Sequence, residues 1–125
     1  MAKIIIAEDD KDIRELISFT LRYAGHHVMS FPNGDDAWNQ ILVELPDLVI
    51  LDVRMPVISG YEVCEKIKQE PKTTHIPVIF LSAKGQEGEI KTGFDVGAVD
   101  YLLKPFVPQA LNNKVEEILK RLQEE

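Results

Sequence analysis

The run Leu48-Val49-Ile50-Leu51-Asp52 constrains the fold more than any other stretch of the chain. Four consecutive apolar residues lack the period-2 alternation of a half-exposed strand, so both faces of this strand must be covered. Strands buried on both sides belong to parallel sheets flanked by helices. Ligands of such sheets gather beyond the carboxyl ends of the strands, which is where Asp52 stands.

The remaining sequence alternates strand and helix to match. Lys3 to Ala7 reads as a first strand and runs into Glu8-Asp9-Asp10. Ile13, Leu16, Ile17, Thr20, Leu21 and Ala24 follow at helical spacing, with Asp10 as the expected N-cap and Gly25 where a helix-ending glycine belongs. His27 to Phe31 is a short strand expected near an edge. Ala37, Trp38, Ile41, Leu42 and Leu45 form the next helical stripe, stopped by Pro46. After Asp52 a loop containing Pro56 and Gly60 leads to a helix burying Val63, Cys64 and Ile67. Ile76 to Leu81 is a further buried strand ending at Ser82. Val99 to Leu103 is the fifth, ending at Lys104-Pro105, and Pro108 opens a last helix with Leu111, Val115, Ile118, Leu119 and Leu122 inward. Five such units predict an α/β fold, a doubly wound (βα)5 flavodoxin-like sandwich on a five-stranded parallel sheet.

The segment from Lys84 to Gly97 is the weak one. It holds four of the seven glycines, and only Ile90, Phe94 and Val96 look like anchors. An interior glycine costs a helix about 0.5–1 kcal/mol relative to alanine, so the fourth helix is expected to be the least stable.

At 125 residues the chain suits one domain, 1–125, with its own core. A net charge of −7 argues against a surface that binds nucleic-acid backbones. No apolar stretch approaches the length of a membrane span, and the lone Cys64 suits a reducing compartment, so a cytoplasmic location is expected. Cys64 and Trp38 read as core residues, and His26, His27 and His75 as surface or packing residues away from the acids.

With parallel strands, Glu8, Asp9 and Asp52 meet Ser82 and Lys104 in one shallow pocket. Three crowded carboxylates repel unless a cation lies among them, and a hard ion such as Mg²⁺ suits oxygen ligands. Metal and lysine together would neutralise a phosphoryl group, for which aspartate is a chemically reasonable acceptor.

These residues, with Met55-Pro56, Gly60, Ser82-Ala83, Tyr101 and Lys104-Pro105 in order, resemble the receiver domains of two-component response regulators, of which the chemotaxis receiver is the simplest. The resemblance covers essentially the whole chain. It implies that Asp52 accepts a phosphoryl group from a histidine kinase or phosphotransfer protein. Asp9 would ligate Mg²⁺ directly, Glu8 through water, and the backbone carbonyl of Arg54 would add another ligand. Lys104 would pair with the phosphoryl group, and Ser82 with Tyr101 would report it to a downstream output protein or domain. The resemblance further implies a cis peptide after Lys104 and a contact face made by the fourth helix, fifth strand and fifth helix. A weak homodimer on that face is compatible with it, although Val99 stands where many DNA-binding members carry an acid. No enzymatic activity beyond the chain's own phosphorylation and dephosphorylation is implied.

Some positions depart from the common pattern. Val57 and Ser59 replace residues usual in that loop, with little effect expected. The resemblance implies that Arg54 and Lys84, two residues after Asp52 and after Ser82, flank the approach of hydrolytic water. Neither side chain can accept a hydrogen bond from that water, so they are expected to lengthen the phosphoryl lifetime. A haloacid-dehalogenase-type hydrolase would carry an aspartate where Arg54 stands, and a flavin carrier would need a Ser/Thr/Gly-rich loop in place of Glu8-Asp9-Asp10. The alternative reading within the family is a module that binds partners without being phosphorylated.

Overall fold

The computed structural model describes residues 2–83 and 86–123. Strands β1 (Lys3–Ala7), β2 (His27–Phe31), β3 (Leu48–Asp52), β4 (Val78–Ala83) and β5 (Asp100–Lys104) alternate with helices α1 (Lys11–Tyr23), α2 (Gly34–Glu44), α3 (Gly60–Gln69), α4 (Glu87–Asp95) and α5 (Pro108–Gln123). All strands pair in parallel in the order β2-β1-β3-β4-β5. The expected sandwich is present, with β2 at an edge and β3 central.

The apolar runs lack alternation because the sheet has two cores. Ile4, Ile6, Leu48, Ile50, Ile79 and Leu81 face α1 and α5, meeting Ile17, Leu21, Leu111 and Val115. Ile5, Val49, Leu51, Val78 and Phe80 face the other way, onto Ala37, Ile41, Val63 and Ile67 of α2 and α3. Each fully buried Leu, Ile or Val contributes about 1.5–3 kcal/mol. Direction changes at the β1/β3 junction, which opens a crevice at the carboxyl ends of those strands.

Local signals behave as their chemistry requires. Asp10 caps α1 by accepting from the Ile13 amide at 3.1 Å. Ser59 and Glu62 form a capping box on α3, so serine at 59 serves the loop well. Cys64 is buried, and burial pushes its thiol pKa up to about 11. Trp38 packs against the second core. His26 does more than pack: its Nδ1 accepts from the Ala2 amide at 3.2 Å while Nε2 faces Glu116 Oε1 at 3.2 Å, tying the chain start to α5.

Several expectations need correction. β4 starts at Val78, two residues late, because Pro77 cannot donate to the ladder and Ile76 is held in a turn by Thr73. β4 runs on to Ala83, so Ser82 lies inside the strand. β5 starts at Asp100, one residue late. Leu45 is not a core position but the left-handed C-cap of α2 (φ 47°), since the residue before Pro46 is barred from helical geometry. α4 begins only at Glu87, with no side-chain cap at Gln86. Gly97 (φ 111°) ends it rather than interrupting it, leaving Gly88 and Gly93 as interior glycines. Phe94 is largely exposed; the packed position is Gly93, where a Cβ would come within 2.8 Å of the Phe80 ring.

Val57 also departs from the expectation of little effect. It sits at φ 71° with a side chain 89% exposed. A β-branched residue in the left-handed region is strained by about 1–3 kcal/mol. Val57→Gly should relieve that strain, lose no packing, and cost only the extra chain entropy of glycine, about 0.5–1 kcal/mol. A urea midpoint higher than the parent's, corresponding to about 1 kcal/mol of added stability, is the expected result. An unchanged or lower midpoint would show that the loop carries no such strain.

Candidate functional site

Strand alternation builds the site. Glu8 stands two residues past Ile6, Asp52 two past Ile50 and Lys104 two past Leu102, and all three apolar residues belong to the α1–α5 core. The two acids and the lysine therefore leave the sheet on one side. Register aligns their strands: Ala7 pairs with Leu51, Asp52 with Leu81, and Ala83 with Lys104. Lys104 spans the end of β4 to reach both acids, its Nζ 2.9 Å from Asp52 Oδ1 and 2.7 Å from Glu8 Oε1. The peptide bond from Lys104 to Pro105 is cis.

Backbone contacts fix the acids. The Glu8 amide donates to Phe31 O at 3.0 Å, Arg14 Nη1 donates to Glu8 O at 2.8 Å, and Glu8 Oε2 accepts from the Asp10 amide at 3.2 Å. Beyond β3 the Gly60 amide donates to Val53 O at 2.9 Å. A Cβ at Gly60 would lie 2.1 Å from the Asp52 carbonyl oxygen, so only glycine lets α3 start this close to the strand end.

The electrostatics follow from burial. Glu8 has no exposed surface, and its pKa rises to about 7, first through desolvation and next, against the Lys104 contact, through repulsion from Asp52. Burial also raises Asp52 above the ordinary carboxylate range despite Lys104. For Lys104, burial opposes the charge, but its bonds to Glu8 and Asp52 outweigh this and hold its pKa above the usual lysine value. Asp9 is exposed.

Glu8, Asp9 and Asp52 each offer a carboxylate oxygen within 4.8 Å of the others. An all-oxygen donor set of this compactness fits a hard divalent cation such as Mg²⁺. Ser82 Oγ is buried and has no hydrogen-bond partner among the described residues. Ser82 follows the alternation of Phe80, on the opposite face from the acids, and Tyr101 packs against that same second core. Tyr101 meets the ring of Phe94 edge-on at 5.9 Å. Acids and lysine thus occupy one face of the sheet end, serine and tyrosine the other.

Arg54 Nε donates to Glu89 Oε2 of α4 at 2.7 Å. Lys84 lies outside the described residues. Glu89, and Tyr61, whose hydroxyl donates to the Glu89 carbonyl at 3.0 Å, escaped sequence reasoning. A helix-borne glutamate 35 positions from its partner carries no local signal.

The raised Glu8 pKa gives stability a pH dependence in metal-free protein. The protonated form is favoured on folding, so this contribution is complete below the ordinary value of 4.5 and is lost as pH rises through about 7. With EDTA present, the denaturation midpoint should fall across that window, and Glu8→Gln should flatten the fall. An equally steep decline in the variant would assign it to another group.

The family model for the response regulator receiver domain matches residues 4–116. The phosphate regulon transcriptional regulatory protein PhoB of Rhizobium meliloti is 37% identical over 125 residues, covering 100% of this chain and 55% of that protein. The probable transcriptional regulator ycf27 of Galdieria sulphuraria is 40% identical, covering 96% and 46%. The chain spans about half the length of the curated relatives it matches. A putative response regulator from Chloroflexus aurantiacus superposes with a TM-score of 0.92 at 39% identity, covering 95% of this chain and 98% of that one. The Vibrio cholerae chemotaxis protein CheY4 gives 0.88 at 30% identity, covering 94% and 98%. Among the described residues no helix is long and apolar enough to cross a membrane. Fold, strand-end cluster and matches agree, and the chain belongs to the response regulator receiver domain family.

Proposed function

We propose that the chain, residues 1–125, is a receiver whose Asp52 takes a phosphoryl group from a histidine kinase or phosphotransfer protein. One observation carries this reading: Lys104 Nζ lies within 3 Å of both Glu8 and Asp52, and at the same end of the sheet the buried Ser82 hydroxyl has no partner among the described residues. An Asp52 carboxylate oxygen attacks phosphorus in line. The bond from phosphorus to the donor breaks, and its electron pair leaves with the donor, an imidazole nitrogen for a phosphohistidine. Lys104 then turns its charge toward the new phosphoryl oxygens, and Ser82 Oγ donates to one of them. Glu8, Asp9 and Asp52, with the Arg54 carbonyl, would hold Mg²⁺, which would supply charge neutralisation at the phosphoryl group.

Movement of Ser82 toward the phosphoryl group lets Tyr101 follow from its seat on Phe94, altering the face of α4, β5 and α5. That change is read by an output protein or output domain in the cytoplasm. The curated relatives named as transcriptional regulators support the second form of output. Nucleic acid is not bound directly by this domain, whose net charge is −7. Arg54 and Lys84 are retained as candidates for setting the phosphoryl lifetime, Arg54 only after it leaves Glu89.

The test is incubation with acetyl phosphate and Mg²⁺ followed by intact mass measurement. A single phosphoryl adduct is expected on the parent, none on Asp52→Asn and none in EDTA. An adduct of equal yield on Asp52→Asn would remove Asp52 from its role. A parent that never gains an adduct under these conditions would favour the module that binds partners unphosphorylated.

A further inference from the structure

Helix α4 is held at its start from outside. Its N-cap Gln86 makes no side-chain bond, so its first amides lack the usual capping partner. Two links come instead from the neighbouring units: Arg54 Nε to Glu89 Oε2 at 2.7 Å, and the Tyr61 hydroxyl to the Glu89 carbonyl at 3.0 Å. The pair is lopsided, with the Arg54 side chain 77% exposed and that of Glu89 only 10%. Glu89 is thus set in place, and the guanidinium is the member free to move. Arg54 springs from the loop two residues past Asp52, so its charge lies within a side chain's reach of either anion.

We propose that Glu89 is a positioning residue: it parks Arg54 on α4 in the resting protein and yields it when Asp52 is phosphorylated, freeing the first turn of α4. The inference rests on Asp52 being the acceptor. A phosphoryl group offers several charged oxygens in a geometry that suits guanidinium, whereas Glu89 engages the Arg54 Nε alone. Both anions draw on the one guanidinium charge, so a hold by the phosphoryl group weakens the hold by Glu89. By linkage the competition is reciprocal: Glu89 weakens the hold on the phosphoryl group by the factor with which phosphorylation loosens α4. This route runs through the outer side of the β3–α3 loop and uses neither Ser82 nor Tyr101.

Glu89→Gln, Arg54→Gln and the double variant form a cycle that separates this from a merely structural role. Amide exchange within Glu87–Asp95 of the unphosphorylated protein should quicken about two- to fivefold in each single variant, the range of partly exposed ion pairs, with no further gain in the double. After acetyl phosphate labelling and removal of the donor, the phosphoryl group should decay more slowly on Glu89→Gln than on the parent. That gain should vanish in the Arg54→Gln background, and Glu89→Asp should restore most of the parent's behaviour. Unchanged exchange in Glu89→Gln, or a lifetime effect that persists without Arg54, overturns the proposal. A parent that takes no phosphoryl group refutes the proposed function instead, and the exchange arm still decides whether the pair tethers α4.

Discussion

The Lys104 ammonium shared between Glu8 and Asp52 is the interaction on which the rest of this structure depends. Two carboxylates at adjacent strand ends, one of them fully buried, would repel and lose hydration without it. Their pKa values remain raised even so, first because burial disfavours the charged form. The exposed Asp9 completes an oxygen cluster open to a divalent cation, and the same lysine is available to an incoming anion. A site fully neutralised by its own side chains would attract neither.

Everything around this charge arrangement holds it still, except on one side. The two cores pin β1, β3 and β4 from both faces, and Gly60 lets the start of α3 press against the Asp52 carbonyl. α4 is different. It is the shortest helix, it lacks a side-chain cap, and it rests on Phe80 through Gly93 and on its neighbours through Phe94 against Tyr101 and Glu89 against Arg54. Rigid elements carry Asp52 and a lightly held element lies beside it. Local stability is therefore lowest where a change in charge could be turned into movement.

The central strand was legible because four apolar residues in a row admit few structures, and the acid pair because it follows a strand directly. Asp10 announced its cap by residue type and position. The lysine was legible as a strand-end residue, but not its span across β4, which depends on side-chain length and register. Other features left no trace. Val57 and Leu45 take left-handed geometry imposed by the loop and by Pro46, against their own preferences. Four glycines suggested a weak α4 with glycines in its interior, yet Gly97 terminates it and Gly93 makes room for a ring contributed by β4. The Arg54–Glu89 pair joins loop to helix across 35 positions, and only the fold brings them together.

If Lys104 is the resident counter-charge of this cluster, it must compete with any cation the acids bind. Titrating Mg²⁺ by calorimetry into unphosphorylated parent and Lys104→Met, above the Glu8 pKa of about 7, tests this most directly. The variant, relieved of the ammonium, should bind the ion several-fold more tightly than the parent. Equal or weaker binding by the variant would contradict the claim that lysine and metal compete for the Glu8 and Asp52 carboxylates.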